Sequence, residues 1–141
     1  MSEAKRTATT SVSEGSTMDA LQIDASSPVY AVIGDPVAHS LGPVMHNRAL
    51  AVSGLPGVYV AFRVADAAGA MAAVRSLGIR GASVTLPHKT AVMDHLDAVD
   101  ETARAIGAVN TVSLQDGRLV GSNTDRVVRR TPCAVLSVSA K

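Results

Sequence analysis

The first compact apolar run of the chain is residues 29–33, closed by Gly34-Asp35-Pro36, which predicts a strand ending in a turn. After a loop over 37–41, Gly42-Pro43 opens a helix that carries Val44, Met45, Ala49, Leu50 and Val52 to Gly54. Pro43 suits a first helical position, with Gly42 as a weak N-cap. Residues 58–64 are rich in β-formers and predict a second strand. Asp66 then caps an alanine-rich helix in which Met71, Val74 and Leu77 recur at helical spacing, and Gly78 ends it. A third strand over 79–84 breaks at Leu86-Pro87, because proline pushes the residue before it out of the α region. Two helices are expected next, over 87–96 and 98–106, the second stopped by Gly107. Asp116-Gly117 between the strand-like runs 109–114 and 118–121 is a hairpin signal.

The order β-α-β-α-β-α-α-β-β implies an α/β fold: a three-layer α/β/α sandwich with a mainly parallel sheet and a C-terminal antiparallel strand pair. Three regions follow. Residues 1–27, rich in Ser, Thr and Ala, read as a disordered leader. They lack the apolar segment of a signal peptide, and Met18 offers an alternative start. Residues 28–125 form the α/β domain, and residues 126–141 a tail of different character.

Composition narrows the function classes. With 47% hydrophobic residues, 18% charged residues and a net charge of +1, the 141-residue chain reads as one soluble globular domain. Its charge makes no case for nucleic acid or a membrane surface. Phe62, Tyr30 and Tyr59 are the whole aromatic complement, too few for base-stacking platforms. A single cysteine, Cys133, excludes an internal disulfide and makes the cytoplasm the default compartment.

Candidate chemistry sits in four segments that follow strands or open helices: 34–43, 81–89, 107–111 and 121–125. Taken singly, each has a plain structural explanation. Ser40 is a loop hydroxyl, Asn110 a strand-edge amide, Asp125 a turn or cap residue and Lys89 a solvated lysine. Together they offer hydroxyls, an amide, an amine and a carboxylate at strand ends, where open α/β sheets bind ligands. Lys89 is expected in the first turn of a helix, where the dipole disfavours its charged form and suits the amine to proton transfer. His39, His46, His88 and His95 show no metal-ligand spacing; His39 and His88 read as pocket-shaping residues.

Five ordered motifs carry a family resemblance: Gly34-Asp-Pro-Val-Ala-His-Ser40, Pro43-Val-Met-His-Asn47, Gly81-Ala-Ser-Val-Thr-Leu-Pro-His-Lys89, Ala105-Ile-Gly-Ala-Val-Asn-Thr111 and Gly121-Ser-Asn-Thr-Asp125. In order and spacing the stretch 29–125 resembles the substrate-binding domain of shikimate dehydrogenase. The resemblance implies that Ser40 hydrogen-bonds the carboxylate of shikimate. It implies that Thr85, Asn110 and Asp125 bind the ring hydroxyls, and that Lys89 and Asp125 form the acid–base pair. It also implies NADP as the hydride acceptor and shikimate, 3-dehydroshikimate or quinate as substrate.

Two departures stand out. Gly42 occupies a position where the family usually has a second serine, and Ser83 one where many relatives carry asparagine. After Asp125, residues 126–141 give no glycine-rich dinucleotide motif, so a cofactor site and dehydrogenase turnover are not expected of this chain, which reads as truncated. The alternatives are a non-catalytic shikimate- or quinate-binding module and a fragment without function. Apolar surface left open would favour homo-oligomers.

Overall fold

The computed structural model describes residues 23–125. The leader of 1–27 falls largely, and the tail of 126–141 wholly, outside the described residues. Within the leader's last residues, Ser27 N–H donates to Asp24 O at 3.1 Å and closes a turn.

Ten elements follow. They are β1 (Val29–Gly34), α1 (Gly42–Ser53), β2 (Val58–Arg63), α2 (Ala67–Ser76), β3 (Gly81–Val84), a 3₁₀ helix (Ala91–His95), β4 (Ala98–Val99), α3 (Glu101–Ile106), β5 (Thr111–Gln115) and β6 (Arg118–Ser122). The six strands form one sheet in the order β2-β1-β3-β5-β6-β4. β1 pairs in parallel with β2 and β3, and β4 with β6; β5 is antiparallel to both β3 and β6.

Around β1 the sheet is covered on both faces, as its continuous apolar run requires. Ala31 and Ile33 face α2, the 3₁₀ helix and α3, where Met71, Val74, Val92, Ala103, Val112 and Leu119 complete the main core. Val32, pointing the other way, packs with Tyr59 and Val37 under α1. α1 contacts only β1 and β2 closely. Beyond it, the same face of β3 and β5 carries the half-buried Ser83 and Thr111, which are cross-strand partners.

Local chemistry explains the elements. Asp66 caps α2 by accepting from Gly69 N–H. Asp116 and Gly117 both have positive φ, 49° and 77°, as a two-residue type I′ hairpin demands. Asn47 of α1 brackets the outer side of β2, donating to Tyr59 O at 2.8 Å and accepting from Tyr59 N–H at 2.7 Å.

Three expectations are corrected. The helix over 87–96 is instead a turn followed by the 3₁₀ helix Ala91–His95, after a cis Leu86–Pro87 bond. The Lys89 carbonyl accepts from Val109 N–H at 2.8 Å, and Met93 N–H turns to Thr90 O, so no α-helical ladder runs through Lys89. The helix over 98–106 begins later, because Asp100 caps it through Ala103 N–H at 2.6 Å and leaves Ala98–Val99 free to pair with β6. α1 begins at Gly42 itself, with Leu41 in the cap position. The expected C-terminal antiparallel pair is present as β5 and β6, with β5 inserted between β3 and β6.

Candidate functional site

Because β5 runs against β3, its starting end lies beside the finishing end of β3. Val84 N–H donates to Asn110 O at 2.8 Å, and Asn110 N–H donates to Ser122 O at 3.1 Å. Thr85, Lys89, Asn110 and the segment after β6 therefore meet at one edge of the sheet. A parallel β5 would have carried Asn110 to the opposite edge.

Asn110 is the hub. Its Oδ1 accepts from Thr111 Oγ1 at 2.9 Å and from Thr124 N–H at 3.1 Å. Its Nδ2 donates to Thr124 Oγ1 at 3.1 Å and to Asp125 Oδ1 at 3.0 Å. The other oxygen of Asp125 lies 3.7 Å from Lys89 Nζ. Asn123, buried, donates to Ala108 O at 2.8 Å and accepts from Asp125 N–H at 3.0 Å. Asp125 is thus held through its backbone as well as its carboxylate, while its side chain stays 65% exposed and open to a ligand.

Thr85 leaves β3 with its N–H on Ile33 O, and its carbonyl accepts from His88 N–H. His88 is buried, with Nε2 at 3.0 Å from Val64 O, and anchors the turn that carries Lys89. Lys89 therefore sits in a turn and not at an α-helix start, so the helix-dipole argument does not apply to it.

Ser40 lies at the other end of this surface. Its Oγ accepts from Gly42 N–H at 3.1 Å, which leaves its own proton for a ligand. No hydrogen bond joins it to Thr85, Lys89, Asn110 or Asp125 among the described residues. Between the two ends stand Tyr59, stacked on His46 with ring centroids 4.2 Å apart, and Ser83, whose Oγ accepts from Tyr59 Oη at 2.8 Å. Burial lowers the pKa of His46. Burial raises that of Tyr59, with the Ser83 contact opposing it.

Sequence reasoning assigned no part to Tyr59, Asn123 or Thr124. Asn123 had a signal, since an Asn two residues before an Asp is placed to close a side-chain turn onto its backbone. Tyr59 had none, because its partners come from α1 and β3. A shallow cleft of about 220 Å³ lined by Met71, Arg75, His95 and Leu119 lies on the α2 face, away from these groups. Among the described residues no group of three His, Cys, Asp or Glu is placed to hold a metal ion.

Residues 32–112 match the family model described as shikimate dehydrogenase substrate binding domain. The chain belongs to that family. A shikimate dehydrogenase (NADP(+)) of Geobacillus kaustophilus is 58% identical over 99 residues, covering 69% of this chain and 36% of the relative. A shikimate dehydrogenase solved with NADP+ superposes with a TM-score of 0.74 at 44% identity, covering 77% of this chain and 39% of the other. The Listeria monocytogenes shikimate 5-dehydrogenase solved with shikimate and NAD gives 0.72 at 39% identity, covering 75% and 37%. The chain spans about a third of the length of the curated relatives it matches.

Those relatives are NADP(+) enzymes, and the described residues do not fit a dinucleotide. A dinucleotide's phosphates are commonly held by free N–H groups and positive potential at a helix start. Here Gly42 N–H serves Ser40 and Pro43 has none, the Asp66 carboxylate occupies the start of α2, and Asp100 and Glu101 occupy that of α3.

Proposed function

We propose that this chain forms the shikimate-binding half of an NADP-dependent shikimate dehydrogenase. The observation that carries the reading is the Lys89–Asp125–Asn110 cluster, an amine and a carboxylate fixed side by side on an open sheet edge. Thr85, Asn110 and Asp125 take the ring hydroxyls, and Ser40 takes the carboxylate. Lys89 moves the proton of the reacting hydroxyl. It accepts that proton as the alcohol carbon is oxidised to the ketone, and as an ammonium paired with Asp125 it returns the proton in the reductive direction. The hydride acceptor is held by residues other than those described. Quinate, with the same carboxylate and hydroxyl chemistry, is the competing ligand. No helix among the described residues is long and apolar enough to cross a membrane, and the cytoplasm is the proposed compartment.

Calorimetric titration of the 141-residue chain with shikimate and with quinate tests the reading. Saturable shikimate binding, lost on Lys89→Ala and on Asp125→Ala, is expected. Absence of binding, or binding that both variants retain, would overturn it.

A further inference from the structure

We propose that Tyr59 is a positioning residue for the ligand's carboxylate, orienting the Ser83 hydroxyl as a second donor beside Ser40. This rests on the shikimate-site reading above.

The geometry around Gly42 and Ser83 leads to it. A Cβ built on Gly42 would stand 3.1 Å from Ser40 Oγ and 3.3 Å from Tyr59 Cε1, so residue 42 is wedged between the two side chains. Cε1 neighbours the ring carbon that bears the hydroxyl. The phenol therefore lies alongside the place where a side chain at 42 would begin. From there Tyr59 Oη donates to Ser83 Oγ at 2.8 Å. Ser83 shares its sheet face with Val32 and Thr111, its register partners on β1 and β5, on the part of the face that α1 leaves uncovered.

A hydroxyl has one proton and two lone pairs. Ser83 Oγ accepts from Tyr59, and among the described residues it donates to nothing, so its proton is available on that face. Tyr59 fixes this arrangement because it is itself immobilised. Asn47 holds its backbone at both N–H and C=O, His46 stacks on its ring, and it is only 7% exposed. Burial keeps the phenol neutral and a donor throughout the physiological range. The result is a row of hydroxyls, Ser40 then Ser83, that points two donors at an anionic group. Gly42, which offers no side-chain donor, makes the room for the ring that organises the second one.

The test uses the full chain, with shikimate and its uncharged methyl ester titrated side by side. A donor matched to a carboxylate loses most of its value when the charge is removed. Tyr59→Phe keeps the ring and the stack; it is expected to weaken shikimate binding about tenfold while changing ester binding less than about twofold. Ser83→Ala is expected to show the same selectivity, and the double variant to be no weaker than either single one. Thermal melting of each variant monitors the fold. Equal weakening of acid and ester, or no weakening by Tyr59→Phe and Ser83→Ala, would overturn the proposal while leaving the site reading intact. Failure of the unmodified chain to bind either ligand would overturn both.

Discussion

Lys89 Nζ stands 3.7 Å from one oxygen of Asp125, while the other oxygen takes the Asn110 amide at 3.0 Å. Both side chains are reachable by solvent, so the pair adds little to stability. Exposed ion pairs contribute about 0–1 kcal/mol. Asp125→Asn, which keeps the shape and removes the charge, is expected to change unfolding free energy by less than about 0.5 kcal/mol. The same variant is expected to weaken shikimate binding about tenfold or more, since a hydrogen bond to a charged group contributes about 1.5–3 kcal/mol. Denaturant melts and titration calorimetry on one protein preparation read both quantities.

Gly34 gives the opposite balance. A Cβ there would collide with Thr85 Cγ2 and stand 3.1 Å from Leu86 O, where β1 and β3 end together. Gly34→Ala is expected to cost about 1–3 kcal/mol by overpacking and to weaken ligand binding through the displaced Thr85. Gly54→Ala is the control. It meets no atom within 4 Å but sits at φ 63°, so it is expected to cost about 1 kcal/mol from backbone strain and to leave binding unchanged. Equal ligand affinity in the two variants would contradict this.

His46 supplies a pH dependence near neutrality. Burial against Tyr59 lowers its pKa below the usual 6.5, so the folded state binds a proton less readily than the unfolded chain. Stability from this group is present above about pH 6.5 and is lost as pH falls through the lowered folded value. The melting temperature of His46→Phe, which retains the stack, is expected to vary less than that of the parent between about pH 7 and 5. Parallel melting curves would count against the argument.

Asp97 acts in a separate window. Leu119 N–H, and after it the Arg75 guanidinium, hold its carboxyl below the usual 3.8. A depressed carboxylate contributes stability above that value and loses it as pH falls through the folded one. Asp97→Asn is expected to flatten the acid limb below about pH 4 while leaving the neutral-to-pH 5 slope of His46 in place. Acid titration followed by circular dichroism separates the two.

What could be read in the sequence follows from how local each signal was. β1, α1, β2 and α2 come from short apolar runs and from Asp66, and Asp116-Gly117 named its own hairpin. The 87–96 region misled because Lys89 O belongs to a bond from Val109, twenty residues on, that no periodicity reports. β4 was hidden because its reason for being extended is β6. Lys89, Asn110 and Asp125 were legible as motif residues, and the structure brings them into contact. Thr85 lies at the same edge. Ser40 needed the structure to show what separates it from them, since Tyr59 and Ser83 come from different strands.

The bracket that Asn47 places on Tyr59 reaches beyond the site. Among the described residues β2 is an outermost strand, and the N–H and C=O groups on its outer side would template a strand from another copy of the chain. Asn47 closes one such pair, and at the far margin β4 is just two residues long. Neither border offers a long uninterrupted ladder for amyloid-like growth. The side chain that holds the Tyr59 backbone is also a gatekeeper against polymerisation.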